Sequence, residues 1–134
     1  MKPAESKMIM LIDDSDIDNY INRKIIRDHE ITDNILILTT AFEALKYFKS
    51  NPGEEKIPNL ILLDINLPAL SGYDFLKKFG ELAPFVRNKS KIVIVTSSDR
   101  QEDMDRMKSH PLVKDYFVKP LTSEALNTIK AILE

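Results

Sequence analysis

Apolar residues along this chain gather in five short runs, and each run stops at a polar or charged side chain. Met8-Ile9-Met10-Leu11-Ile12 stops at Asp13-Asp14. Leu60-Ile61-Leu62-Leu63, preceded by Asn59, stops at Asp64. Ile35-Leu36-Ile37-Leu38 leads to Thr39. Ile92-Val93-Ile94-Val95, preceded by Lys91, leads to Thr96-Ser97-Ser98, and Asp115-Tyr116-Phe117-Val118 runs into Lys119-Pro120. Unbroken apolar runs of this length read as strands covered on both faces, since a half-exposed strand would alternate.

Between the runs the apolar spacing changes to three and four, the period of a helix face. This predicts helices over residues 15–28, 41–50, 72–82, 99–110 and 123–133. In the first, Ile17, Ile21 and Ile25 share one face. Ser15, Asp16 and Asp18 crowd its start and Arg23, Lys24 and Arg27 its end, which suits the free N–H and C=O groups there. Ala41, Ala44, Leu45 and Phe48 form one side of the second helix, Phe75, Leu76 and Phe79 of the third. Leu126, Ile129 and Leu133 do so in the last, with Ser123 as its expected cap. The helix over 99–110 is polar, with Met104 and Met107 its main apolar residues. Residues 51–56 read as a polar loop, 84–90 as an irregular stretch, and Pro68 and Gly72 as the marks of a shaped loop leading into a helix.

Strand and helix therefore alternate five times. That pattern implies an α/β fold with a parallel five-stranded sheet and right-handed crossovers. The common order for a doubly wound, flavodoxin-like (βα)5 sheet is 2-1-3-4-5. In that order the first and third strands are neighbours. Asp13, Asp14 and Asp64 then meet at the carboxyl edge of the sheet, beside Thr96 and Lys119.

Composition narrows the function. With 134 residues and 43% hydrophobic content, residues 1–134 are expected to form one domain with a real core and no output domain. The net charge is −2 and the sequence pI about 5.7. No basic excess exists to neutralise a nucleic-acid backbone, so direct binding to DNA or RNA is not expected. The lack of cysteine excludes disulfides, thiolate metal sites and a cysteine nucleophile, and fits a cytoplasmic location. The apolar run from Met8 to Ile12 is too short for a signal-peptide core or a membrane span.

Each polar residue has a plain reading by itself. Asp13 and Asp14 can cap a helix, Asp64 can be a loop carboxylate, Thr96 can end a strand, and Lys119 and Tyr116 can sit half in water. Together they point elsewhere, because each falls at the end of a different strand. Converging carboxylates repel one another, and a hard divalent cation on all-oxygen ligands resolves the repulsion. Lys119 supplies a cation and Thr96 a donor for phosphoryl oxygens around an aspartate nucleophile, which is most of what phosphoryl transfer needs.

These residues, in this order, resemble the receiver domain of a two-component response regulator of the chemotaxis-regulator type. The elements are Asp13-Asp14, Asp64 with Pro68 and Gly72 behind it, Thr96, and Tyr116 three residues before Lys119-Pro120. The resemblance covers about residues 7–133. It implies that Asp64 accepts a phosphoryl group from a sensor histidine kinase or a histidine phosphotransfer protein. It implies Mg2+ or Mn2+ held by Asp13, Asp14, Asp64 and the main-chain carbonyl of Asn66. Thr96 and Lys119 would contact the phosphoryl group, Thr96 and Tyr116 would form the conformational switch, and the bond before Pro120 would be cis. Phosphorylation would change a face read by a downstream protein partner, in a monomer or a phosphorylation-linked dimer without small-molecule turnover. The chain is longer than the most compact receivers over 51–58 and 84–90, as in the bacterial receivers that partner phytochromes. The alternative weighed against this is a metal-dependent phosphohydrolase with an aspartyl-phosphate intermediate. Such enzymes carry the nucleophile on the first strand with a second aspartate two residues later, whereas here Asp64 is followed two later by Asn66.

Overall fold

The five strands of the computed structural model, which describes residues 7–134, run up to the polar residues picked out by pattern. The elements are β1 (Ile9–Ile12), α1 (Asp16–Asp28), β2 (Ile35–Leu38), α2 (Ala41–Lys49), β3 (Leu60–Leu63) and α3 (Gly72–Phe79). They continue with α4 (Pro84–Lys89), β4 (Lys91–Thr96), α5 (Gln101–Lys108), β5 (Val113–Val118) and α6 (Ser123–Leu133). All strands are parallel, in the order β2-β1-β3-β4-β5. The first six residues lie outside the described part.

The register explains where the site forms. Ile12 pairs with both Leu38 and Leu63, so the residues after them, Asp13 and Asp64, emerge side by side. Thr96 pairs with Val118, which brings Lys119 level with the end of β4. Between Ile92 and Val93 the register against β5 slips, because Val113 and Asp115 are their partners and Lys114 is left over. That bulge sets Tyr116 opposite Ile94.

Two apolar layers cover the sheet. On one side Met10, Ile12, Ile61, Leu63, Ile92 and Ile94 pack against α2, α3 and α5. On the other Ile9, Leu11, Leu60, Leu62, Val93 and Val95 pack against α1 and α6. With helices on both faces, every residue of β1 and β3 is buried, which is why their sequences do not alternate.

Several details depart from the pattern reading. Residues 84–89 are a helix, not an irregular stretch. Pro84 stands in its first turn, where the missing N–H costs nothing. The cap of α6 is Thr122, whose side chain accepts from the Ala125 amide at 3.1 Å, and Ser123 is the first helical residue. Met107 is fully buried against the sheet, so it is not available as an exposed contact. The face of α1 that carries Ile17 and Ile21 points outward, with exposures of 72% and 40%. Asn19, Asn22 and Ile26 face the core instead.

Gly72 fixes the approach of α3 to the site. A Cβ there would meet the Ile65 Cα at 2.6 Å and the Asp64 carbonyl at 2.8 Å, both backbone atoms that cannot swing away. Its amide donates to the Ile65 carbonyl at 3.1 Å, closing the loop behind Asp64. Gly72→Ala is expected to destabilise the fold by about 2–3 kcal/mol in urea unfolding, as overpacking does in a tight interior. The loss of stability should come with a displaced Asp64, read as shifted amide resonances over 64–66. A variant as stable as the parent would show that the loop gives way freely.

Candidate functional site

Backbone ladders carry the site residues into place. The Asp13 amide donates to the Leu38 carbonyl at 3.2 Å, the Asp64 amide to Ile12 at 3.0 Å, and the Lys119 amide to Thr96 at 2.8 Å. Each side chain thus springs from one residue beyond a strand, where its backbone is still paired. The peptide bond between Lys119 and Pro120 is cis. Below Asp13 the start of α1 is locked twice. The Ser15 hydroxyl caps the helix at the Asp18 amide, and the Ser15 amide donates to Asp13 Oδ1 at 3.0 Å. From the buried side of α1, Asn19 Nδ2 donates to the Asp13 carbonyl at 2.8 Å. The cap of α1 is thus Ser15, not Asp13, which braces the turn ahead of the helix and has a second role.

That second role is the acidic cluster. Asp13, Asp14 and Asp64 each offer a carboxylate oxygen, all within 4.8 Å of one another. Asp13 and Asp64 are buried and Asp14 is exposed. Lys119 Nζ faces them, 2.5 Å from Asp13 Oδ2, 3.1 Å from Asp64 Oδ2 and 2.8 Å from Asp18 Oδ2. The other oxygen of Asp64, Oδ1, accepts from the Thr96 hydroxyl at 2.7 Å and from the Asn66 amide at 3.0 Å. Thr96 is wholly buried.

The electrostatics follow from burial and charge number. Burial raises the Asp13 carboxyl above its usual range, while its bonds to Lys119 and the Ser15 amide pull the other way. Burial works against the charge on Lys119 too, but bonds to Asp13 and Asp18 and the field of Asp64 outweigh it and hold the ammonium firmly charged. The asymmetry between the two partners is one of stoichiometry, because one lysine serves three carboxylates.

A second network leaves the end of β4. Tyr116 is buried, and its hydroxyl donates to the Ser98 carbonyl at 2.9 Å. Ser98 Oγ donates to Asp103 Oδ2 at 2.6 Å, and the Tyr73 hydroxyl donates to Asp103 Oδ1 at 3.1 Å. The Arg106 guanidinium lies 3.6 Å from the centre of the Tyr73 ring. Asp103 on α5 therefore ties the turn after β4 to α3. Reasoning from sequence reached Thr96 and Tyr116 but not Asp103, Tyr73 or Asp18, whose acids looked like ordinary first-turn residues of polar helices.

Comparison with known proteins bears on this arrangement. The profile of the family described as "Response regulator receiver domain" matches residues 9–131. The chain belongs to the response regulator receiver domain family. This receiver is similar to the two-component response regulator of Cytophaga hutchinsonii, with a TM-score of 0.87 and 29% identity over 96% of each chain. The Mn(2+)-bound form of response regulator Rcp1 is similar with a TM-score of 0.70 and 26% identity, over 94% of this chain and 91% of that one. In sequence, Rcp1 of Synechocystis is 28% identical over 73% of this chain and 67% of its own. The sensor histidine kinase CheAY of Helicobacter pylori is 30% identical over 91% of this chain, which spans only 14% of that protein's length. Receivers are phosphoacceptor domains of two-component signalling, act with a histidine kinase, and bind a divalent metal at their acidic pocket. The three carboxylates of this receiver, all-oxygen and mutually close, suit such an ion.

The Asp103 network carries a pH signature. The bond from Ser98 holds the Asp103 carboxyl below its usual 3.8. A depressed acid stabilises the fold above its unfolded value, and that contribution is lost as pH falls through the folded value. Asp103→Asn is expected to be less stable than the parent at about pH 7, with the gap narrowing below about pH 4. Urea titrations at the two pH values check this, and a gap independent of pH would mean the carboxylate charge plays no part.

Proposed function

We propose that Asp64 accepts a phosphoryl group from the phosphohistidine of a sensor kinase or histidine phosphotransfer protein. The observation that carries this reading is the treatment of the two Asp64 oxygens. Oδ1 is held by Thr96 and the Asn66 amide, and Oδ2 faces Lys119. The carboxylate is thereby oriented at the mouth of the acidic cluster. One carboxylate oxygen attacks phosphorus as the phosphorus–nitrogen bond of the donor breaks, and the departing imidazole takes up a proton. The Thr96 hydroxyl and the Lys119 ammonium stand where they can turn from the carboxylate to the transferred phosphoryl oxygens.

Asp13, Asp14, Asp64 and the main-chain carbonyl of Asn66 would hold Mg2+ or Mn2+. Such an ion supplies positive charge against the phosphoryl oxygens when bound. The Mn(2+)-bound form of Rcp1 supports the assignment by similarity. The Lys119–Asp13 pair is then one that the ion must share. We read the turn bearing Thr96 and Ser98, with Tyr116 inward behind it, as the switch that alters the face of α5, β5 and α6 for a downstream protein, in a monomer or a phosphorylation-linked dimer. No helix among the described residues is long and apolar enough to cross a membrane, and we place the protein in the cytoplasm, without direct nucleic-acid contact. Small-molecule phosphatase turnover is not favoured, since the family is one of signalling domains.

The outward face of α1 fits the donor. Ile17 and Tyr20 are 72% and 69% exposed and Ile21 40%, one turn from the Asp13-Asp14 pair. Val118, 38% exposed, immediately precedes Lys119 at the end of β5.

Two measurements test the reading. After acetyl phosphate and magnesium, intact mass should rise by one phosphoryl group, with no rise in Asp64→Asn or with chelator present. Labelling of Asp64→Asn to the parent's level would remove the acceptor from this site. The double substitution Ile17→Asp, Ile21→Asp should slow transfer from the cognate kinase more than about tenfold, given the apolar area at stake. Labelling by acetyl phosphate should stay at the parent rate. Equal slowing with both donors would place the defect in the site and not in docking.

A further inference from the structure

Lys119 is fully subscribed. An ammonium has three N–H donors, and here three carboxylates take one each: Asp13 at 2.5 Å, Asp18 at 2.8 Å and Asp64 at 3.1 Å. Its side chain is only 11% exposed, so solvent offers little room for rearrangement around it. A phosphoryl oxygen therefore reaches Lys119 only by displacing one of the three.

The three are not equivalent. Asp13 and Asp64 belong to the cluster of converging carboxylates, and Asp64 is itself the proposed acceptor. Asp18 lies outside that cluster. It stands in the first turn of α1, with its amide held by the Ser15 hydroxyl at 3.2 Å and its side chain 37% exposed. Its backbone is fixed and its carboxylate borders water, so it can let go and be rehydrated at little cost. It also reaches across 101 residues of sequence to the turn that follows β5.

We propose that Asp18 is a positioning residue that holds Lys119 in the resting site and competes with the phosphoryl group for it. The proposal rests on the reading of Lys119 as a phosphoryl contact. Removing the Asp18 charge frees one donor of Lys119 for the phosphoryl oxygens.

The ordinary alternative is that Asp18 only favours the start of the helix, as first-turn acids do. Asp16 provides the control. It carries the same charge in the same turn, is exposed, and is not among the ammonium partners of Lys119. The experiment measures the affinity of beryllofluoride, a phosphoryl mimic, by titration calorimetry on the full chain at saturating magnesium. Asp18→Asn should bind it about fivefold more tightly, as loss of one close opposing charge allows. Asp16→Asn should stay within about twofold of the parent, because its charge is set back from the ammonium. In a Lys119→Met background the gain from Asp18→Asn should vanish, since the competition then has no object. Equal shifts in the two Asn variants, or weaker binding in Asp18→Asn, would overturn the proposal. Unchanged affinity in Lys119→Met alone would overturn the phosphoryl role of Lys119 and the proposal with it. Lost affinity there, with no gain in Asp18→Asn, would overturn the proposal only. Asp18→Ala provides the same comparison should the Asn variant not fold, as monitored by circular dichroism.

Discussion

Four carboxylates stand around one ammonium at the carboxyl edge of the sheet, and much of the local structure serves to keep them there. Asp13, Asp18 and Asp64 all reach Lys119, and Asp14 completes the acidic side. Left to themselves such charges would spread apart or take up protons. They are kept close because the backbones that carry the ones bound to Lys119 are held in place. Asp13 and Asp64 are anchored by the strand ladder, Asp18 by a helix cap, and Lys119 by its pairing with Thr96. Removing one of the buried partners, Lys119 above all, is costly, of order 3–5 kcal/mol, since the others lose their compensation. An excess of negative charge that the fold cannot neutralise alone is also an attraction for a cation.

The same edge is joined to α3, α5 and β5 through short physical links. Asp64 accepts from the Thr96 hydroxyl at the end of β4, and the turn that follows continues the network through Ser98. From Ser98 one bond leads to Tyr116 on β5 and another to Asp103 on α5. Asp103 in turn holds Tyr73 on α3, immediately after the glycine that brings that helix against Asp64. The loop behind Asp64 and the turn behind Thr96 are therefore two halves of one hydrogen-bonded frame.

Much of this was legible in the chain itself, and the failures have physical causes. Apolar runs ending in polar residues located every strand, because a doubly covered sheet leaves no other pattern. The expected order 2-1-3-4-5 is the order found. The spacing of Ile17, Ile21 and Ile25 marks one face of α1 but not its direction, because two buried asparagines line the inward face, one of which braces Asp13, while Ile17 and Ile21 face out. Pattern reading assumes that apolar means inside, and the exposed Ile17 and Ile21 break that assumption. The helix at Pro84 was missed because proline ends helices in the interior but begins them at the first turn. Asp18 and Asp103 were invisible for a different reason. Their partners lie across a fold, and a first-turn acid looks the same whether or not a lysine waits opposite it.

The bulge at Lys114 shows how a single uncounted residue can decide which side chains matter. Strand neighbours alternate between the two faces of a sheet, so β5 has a parity as well as a composition. With Lys114 skipped, Tyr116 shares a face with Ile94, toward α3 and α5, and Val118 meets Thr96 so that Lys119 falls at the acidic edge. Counted without the skip, Asp115 would oppose Ile94 and the tyrosine would lie on the opposite face. The function of β5 is thus written in its length modulo two. In this segment an insertion or deletion is a more severe change than any single exchange of side chain.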